Sequence, residues 1–184
     1  LMATEFNYRV EGLDLSTNML NRAEAECQAL GLQNRVTFEL ENALEMNRPN
    51  RYDGVYSRDA FLHIHDKQRL FSAIHRSLKP RGRLLFTDYC CRPQPWSDGF
   101  ASYVESHHYC LHTVEDYASL LEEAGFKGIV GEDLTQKFVQ TLENDLRHLS
   151  GLADTQELVA AWEAKLERAL GGEQRWGLFI AEKG

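Results

Sequence analysis

The sequence predicts an α/β fold built on an open, doubly wound sheet. Three observations carry that expectation. Short apolar runs alternate with longer stretches of helical periodicity along the chain. A late alternating segment, "RWGLFIAEK" (175–183), reads as a return strand. Polar residues able to do chemistry stand where several apolar runs stop, and in such sheets ligands bind outside the carboxyl ends of the strands.

The elements follow in order. "RVEGLDLS" (9–16) reads as a strand entering a turn, and residues 17–32 as an amphipathic helix ending at Gly31. "RVTFEL" (35–40) and "YDGVYS" (52–57) are strands. Residues 66–82 read as a helix closed by Pro80 and Gly82, and "RLLFTDYC" (83–90) as the next strand. An irregular loop with Pro93, Pro95 and Gly99 leads to a helix over Phe100–Ser106. Residues 113–126 open with a capping box, Thr113 with Asp116 three residues on, and close at Gly125. A strand over 127–134 and helices over 135–150 and 155–170 complete the pattern, the second helix ending at Gly171–Gly172.

A chain of 184 residues, 43% hydrophobic and 26% charged, suits one globular domain, here expected to span 1–184. Its net charge of −8 argues against nucleic acid or an anionic membrane as partner. No apolar run approaches the roughly 18 residues of a membrane span, and residues 1–12 have no secretory pattern. Cys27, Cys90, Cys91 and Cys110 form no metal-ligand spacing, so free thiols in a reducing cytoplasm and no metal are expected.

Three strand ends stand out: Asp14, the 57–63 stretch, and Asp88–Tyr89. Asp14 can accept both hydrogen bonds of a ribose diol or cap the following helix. Asn42 can read an adenine edge or form a turn. Asp59 and His63 are four residues apart; on a helical turn they share a face, where they can hold an ammonium and handle its proton, or simply cap and pack. Tyr89, Tyr103 and Tyr109 can donate to phosphate oxygens or fill a core.

"GLDLSTNML", "YSRDAFLHI", "LKPRGRLLFTDYC", "HTVEDYASLLEEAGF" and "RWGLFIAEK" together resemble the phosphoethanolamine N-methyltransferases, class I enzymes that use S-adenosyl-L-methionine. The resemblance runs from about residue 8 to the end, with "YSRDxxLH" and "TDYC" its specific parts. It implies a Rossmann-like sheet with helices on both faces. It also implies stepwise methylation of the amine of phosphoethanolamine and its mono- and dimethyl forms towards phosphocholine, for phosphatidylcholine synthesis. By motif match, Asp14, Leu15, Asn42, Ala43 and Arg58 would bind the cofactor. Asp59 would face the substrate ammonium and His63 would be the active-site histidine. Tyr89, His107, Tyr109 and Lys165 would bind the phosphate end.

Two departures from the family pattern are visible. The glycine-rich loop that follows the first strand, and the lid before it, have no counterpart in the chain, so a fragment lacking the first strand and helix is expected. A second methyltransferase domain is then a conceivable neighbour in the full-length chain. The strands ending at Asp14 and Ser57 would each keep an unpaired edge. His107 stands where the family supplies an arginine, and an imidazole cannot make a bidentate phosphate fork. That substitution leaves open another small amine as substrate. The missing loop leaves open a catalytically silent domain that stabilises a partner.

Overall fold

A computed structural model describes residues 2–149 and 155–184 of the chain. They form two compact units, divided after Arg48.

In the first unit, strands β1 (Val10–Asp14) and β2 (Val36–Leu40) pair in parallel, Val10 opposite Val36 and Asp14 opposite Leu40. Helix α1 (Thr17–Ala29) connects them and buries Leu20 and Cys27. Its start is capped by Ser16, whose Oγ accepts from the Met19 N–H at 3.4 Å. It stops before Gly31, whose φ of +67° suits a residue without Cβ. Arg48 joins the strands from one side by ion pairs to Glu11, Glu39 and Glu41.

The second unit holds a four-stranded sheet in the order β3 (Tyr52–Arg58), β4 (Leu78–Cys91), β6 (Gln174–Lys183), β5 (Phe126–Asp133). β3 and β4 are parallel, and β6 is antiparallel to both of its neighbours. Helices α2 (Lys67–Ser77) and α4 (Val114–Glu123) pack on the sheet, as do α5 (Thr135–Leu149) and α6 (Gln156–Leu170); α3 (Asp98–Ser106) follows β4. The period of two along β4 divides the work. Leu84, Phe86, Asp88 and Cys90 are buried, Phe86 lying against Phe71 of α2 and Tyr117 of α4. Tyr89 turns the other way, into a cluster of Phe138, Val139, Leu142 and Ala169. The predicted capping box is present in both directions, Thr113 Oγ1 accepting from the Asp116 N–H and Asp116 from the Thr113 N–H.

One expectation changes. The helix predicted over 66–82 ends at Ser77, and the chain is already extended at Leu78. The residue before a proline avoids the helical region, so Lys79–Pro80 ends the helix early. Residues 79–82 then bulge out, with pairing resuming at Gly54 and Arg83. The strands form two sheets, and β1 and β3 each keep an unpaired edge, as expected for the strands ending at Asp14 and Ser57. The end of the helix predicted over 135–150 lies, at residue 150, outside the described residues.

Asp88 is fully buried and accepts a 2.5 Å hydrogen bond from the Tyr117 hydroxyl. Burial pushes its carboxyl up to about 7, against the opposing pull of Tyr117 and of the Lys67 charge. The unfolded carboxyl ionises near 4, so between about pH 4 and 7 the folded state binds more protons and stability falls as pH rises. Asp88→Asn removes this dependence. Its stability relative to the parent should rise between pH 4 and 7 and level off above, measured by denaturant unfolding at each pH. A difference constant with pH would show that Asp88 stays ionised in the fold.

Candidate active site

Asp59 follows the last residue of β3 and sits at φ +50°, a left-handed conformation that aspartate tolerates better than most residues. This turn sends the chain from the strand into a 3-10 turn over Phe61–His63. Its N–H donates to the Thr87 carbonyl of β4 at 2.8 Å. Its Oδ1 accepts from Thr87 Oγ1 at 2.9 Å and from the Trp176 indole Nε1 at 2.8 Å. The carboxylate is therefore oriented through one oxygen, and among the described residues Oδ2 takes no hydrogen bond.

His63 is exposed at the end of the 3-10 turn, its ring edge-on to Tyr109 at 5.2 Å between centroids. The expected helical face shared with Asp59 does not form: Asp59 precedes the turn, and the two side chains take different partners. Arg58 ends β3 exposed.

Beside them lies a group of phenols and cations. Lys165 Nζ reaches the Tyr89 hydroxyl at 3.2 Å and stands 5.3 Å from the centre of its ring. Tyr103 packs edge-on to Tyr109, and the His107 ring contacts both. Burial, then the charge of Asp59 and the neighbouring Tyr103, push the Tyr89 hydroxyl up to about 12. Burial, then Tyr103, do the same to Tyr109. Both phenols are thus protonated donors at neutral pH.

Lys67 holds this side of the site together. It is buried to 3% exposure, and its Nζ donates to the carbonyls of Ile64 at 2.5 Å and Cys110 at 3.0 Å. Burial lowers its pKa, partly offset by Cys110 and Asp88. The Cys110 N–H also donates to the Leu62 carbonyl at 2.8 Å. The turn carrying His63 and the segment carrying Tyr109 are thereby joined twice.

In the first unit, parallel pairing puts Asp14 and Asn42 at the same end of two strands. Asp14 is exposed, its Oδ1 accepting from the Ser16 N–H at 2.7 Å. Leu15 beside it is 71% exposed. Asn42 caps a 3-10 turn over Ala43–Glu45 through the Leu44 N–H. An exposed carboxylate, an apolar side chain and an amide suit a ribose diol, a purine face and a purine edge respectively.

Sequence reasoning missed Trp176, Lys67 and Arg168. Trp176 is brought to Asp59 only by the antiparallel register that sets Tyr89 opposite Trp176. Lys67 reads from the sequence as a first-turn surface lysine. Arg168 lies three residues after Lys165 on α6, a spacing that puts both on one helix face and could have flagged it. Among the described residues no group of three or more His, Cys, Asp or Glu could hold a metal ion, and no helix is long and apolar enough to cross a membrane.

Comparison with known proteins defines the class first. A family model described as a methyltransferase domain matches residues 1–130, and solved structures of the same α/β type superpose on the chain, placing the fold among the Rossmann-like class I methyltransferases. The Plasmodium falciparum phosphoethanolamine N-methyltransferase is 33% identical over 97% of this chain and 71% of its own length, and the wheat (Triticum aestivum) enzyme of that name is 40% identical over 99% of this chain. The chain belongs to the phosphoethanolamine N-methyltransferase family. It spans 38% of the wheat relative's length. The structure of Haemonchus contortus phosphoethanolamine N-methyltransferase 2 in complex with phosphomonomethylethanolamine and S-adenosylhomocysteine superposes with a TM-score of 0.93 at 33% identity, covering 99% of this chain and 45% of that one.

Proposed function

We propose that this chain takes part in the S-adenosyl-L-methionine-dependent N-methylation of phosphoethanolamine, or of its mono- and dimethyl forms, towards phosphocholine. The observation that carries this reading is the pairing of two opposite charge preferences in one region: a carboxylate with a free oxygen at Asp59, and the Lys165–Tyr89 pair nearby. A phosphobase is a small molecule with an ammonium at one end and a phosphate at the other. The family membership and the ligands named for the Haemonchus relative support the same substrate class.

In this reading residues 1–184 belong to one methyltransferase domain, and the family match crosses the boundary at residue 48. Asp14, Leu15, Asn42 and Ala43 hold the adenosine part of the cofactor. When bound, S-adenosyl-L-methionine supplies an electrophilic methyl group. Asp59 orients the substrate amine through Oδ2, and the Trp176 and Thr87 bonds keep that carboxylate from swinging away. His63, exposed beside Tyr109, takes the proton the amine must lose. Tyr89, Tyr109 and Lys165 donate to the phosphate, with His107 at the rim. Holding the small substrate at both ends limits its motion, and such positioning supplies much of the rate in a displacement reaction.

The test is a methyl-transfer assay of the complete natural protein with phosphoethanolamine, its mono- and dimethyl forms, ethanolamine and glycine. At least one phosphobase should be turned over, with kcat/KM at least about 100-fold above ethanolamine, the value expected when charge-assisted phosphate contacts are lost. Equal use of ethanolamine or preference for glycine would overturn the reading.

A further inference from the structure

The phenol cluster contains a second cation. The Arg168 guanidinium lies 3.7 Å over the Tyr103 ring, and its charge acts on the hydroxyls of both Tyr89 and Tyr109. Its Nε donates to Gln174 Oε1 at 3.0 Å, and Gln174 is only 1% exposed. The ring beneath and the buried amide beside it fix the plane of the guanidinium. Among the described residues Nε is the only bonded nitrogen of the group, which leaves the donors of the two Nη nitrogens without a hydrogen-bond partner there.

The neighbouring histidine cannot supply a guanidinium's fork. His107 Nδ1 lies 2.9 Å from the Tyr103 carbonyl and 3.1 Å from Ser106 Oγ. When Nδ1 donates to the carbonyl, Nε2 of the neutral ring has no proton for a phosphate oxygen, and the other tautomer offers a single donor. A phosphate monoester carries between one and two negative charges near neutral pH, more than a single lysine neutralises. Lys165 is a point charge with three rotatable donors, whereas a guanidinium presents a planar fork.

We propose that Arg168 is the specificity-determining cation of the phosphate subsite, its Nη edge forking the substrate phosphate while Lys165 and the two phenols complete the shell. The proposal rests on the phosphobase reading above and names the group that distinguishes a phosphorylated amine from its alcohol. Gln174 acts through Arg168 as its positioning residue.

The experiment compares Arg168→Met, Arg168→Lys and the parent in the complete natural protein, measuring kcat, KM for the preferred phosphobase, and inhibition by phosphocholine and by S-adenosylhomocysteine. Arg168→Met should raise KM about 10- to 100-fold, the factor for one charge-assisted contact. It should weaken phosphocholine inhibition by the same factor and leave inhibition by S-adenosylhomocysteine within about twofold, a pattern general loosening would not give. Arg168→Lys keeps the charge without the fork and should fall between parent and Met variant; it also carries the test alone if the Met variant does not fold. Parent-like KM and phosphocholine inhibition in either folded variant would overturn the assignment. A parent that turns over no phosphobase would instead overturn the functional reading beneath it.

Discussion

Asp59→Asn should lower kcat/KM for phosphobase methylation by about three orders of magnitude, the upper range for loss of one positioned, charge-pairing group. The substitution is nearly isosteric, and asparagine tolerates the left-handed backbone at φ +50° as aspartate does. Its carbonyl oxygen can still accept from Thr87 and Trp176, which both bind Oδ1 of the parent. The amide nitrogen then replaces Oδ2 and offers donors where the substrate offers its own. The variant should melt within a few degrees of the parent and bind S-adenosylhomocysteine within about twofold of the parent's affinity by calorimetry. His63→Ala should share the pattern with a smaller loss. Parent-like turnover by Asp59→Asn would remove the residue from the site.

The second large effect concerns stability. A Cβ added to Gly177 in β6 would lie 2.6 and 2.7 Å from Phe179 ring carbons and 2.9 Å from Cys90 Sγ. Phe179 has nowhere to move: it is fully buried, stacked on Phe86 with centroids 4.6 Å apart and packed on Tyr117. Cys90 is fully buried as well, and burial raises its pKa strongly, which marks it as a packed, inert thiol. Gly177→Ala should therefore cost about 3 kcal/mol, at the upper end of ordinary overpacking. With a domain of this size that corresponds to a fall in Tm of roughly 10 °C by calorimetry. Gly99→Ala in α3, where nothing lies within 4 Å of the added carbon, is the control and should be neutral or slightly stabilising. Equal melting of the two variants would show that β6 can shift to make room.

Much of this architecture can be read along the chain because its signals are local. The capping box at Thr113 and Asp116, the glycines at 31 and 125, and the alternation in β4 and β6 depend on residues a few positions apart. The site is less legible. Spacing suggested a helical face for Asp59 and His63, but a left-handed residue costs only one backbone angle and leaves no periodic trace. Trp176 meets Asp59 across 117 positions through sheet register alone. Arg168 and Lys67 look like surface cations until tertiary packing lays one on an aromatic ring and buries the other. The helix drawn through residue 82 failed because two breakers were taken as its end, when the proline acts two residues upstream.

The double link between the 61–65 turn and the segment around Cys110 matters to anyone redesigning substrate choice. Lys67 and the Leu62 carbonyl make these stretches one part with two sequence addresses. A graft carrying only the histidine turn into a related scaffold would leave a buried ammonium with half its acceptors misplaced, and a graft of the tyrosine segment alone would do the same from the other side. The transferable piece is the pair of stretches together with Lys67, and libraries that vary either stretch should keep the backbone of its counterpart as a constant.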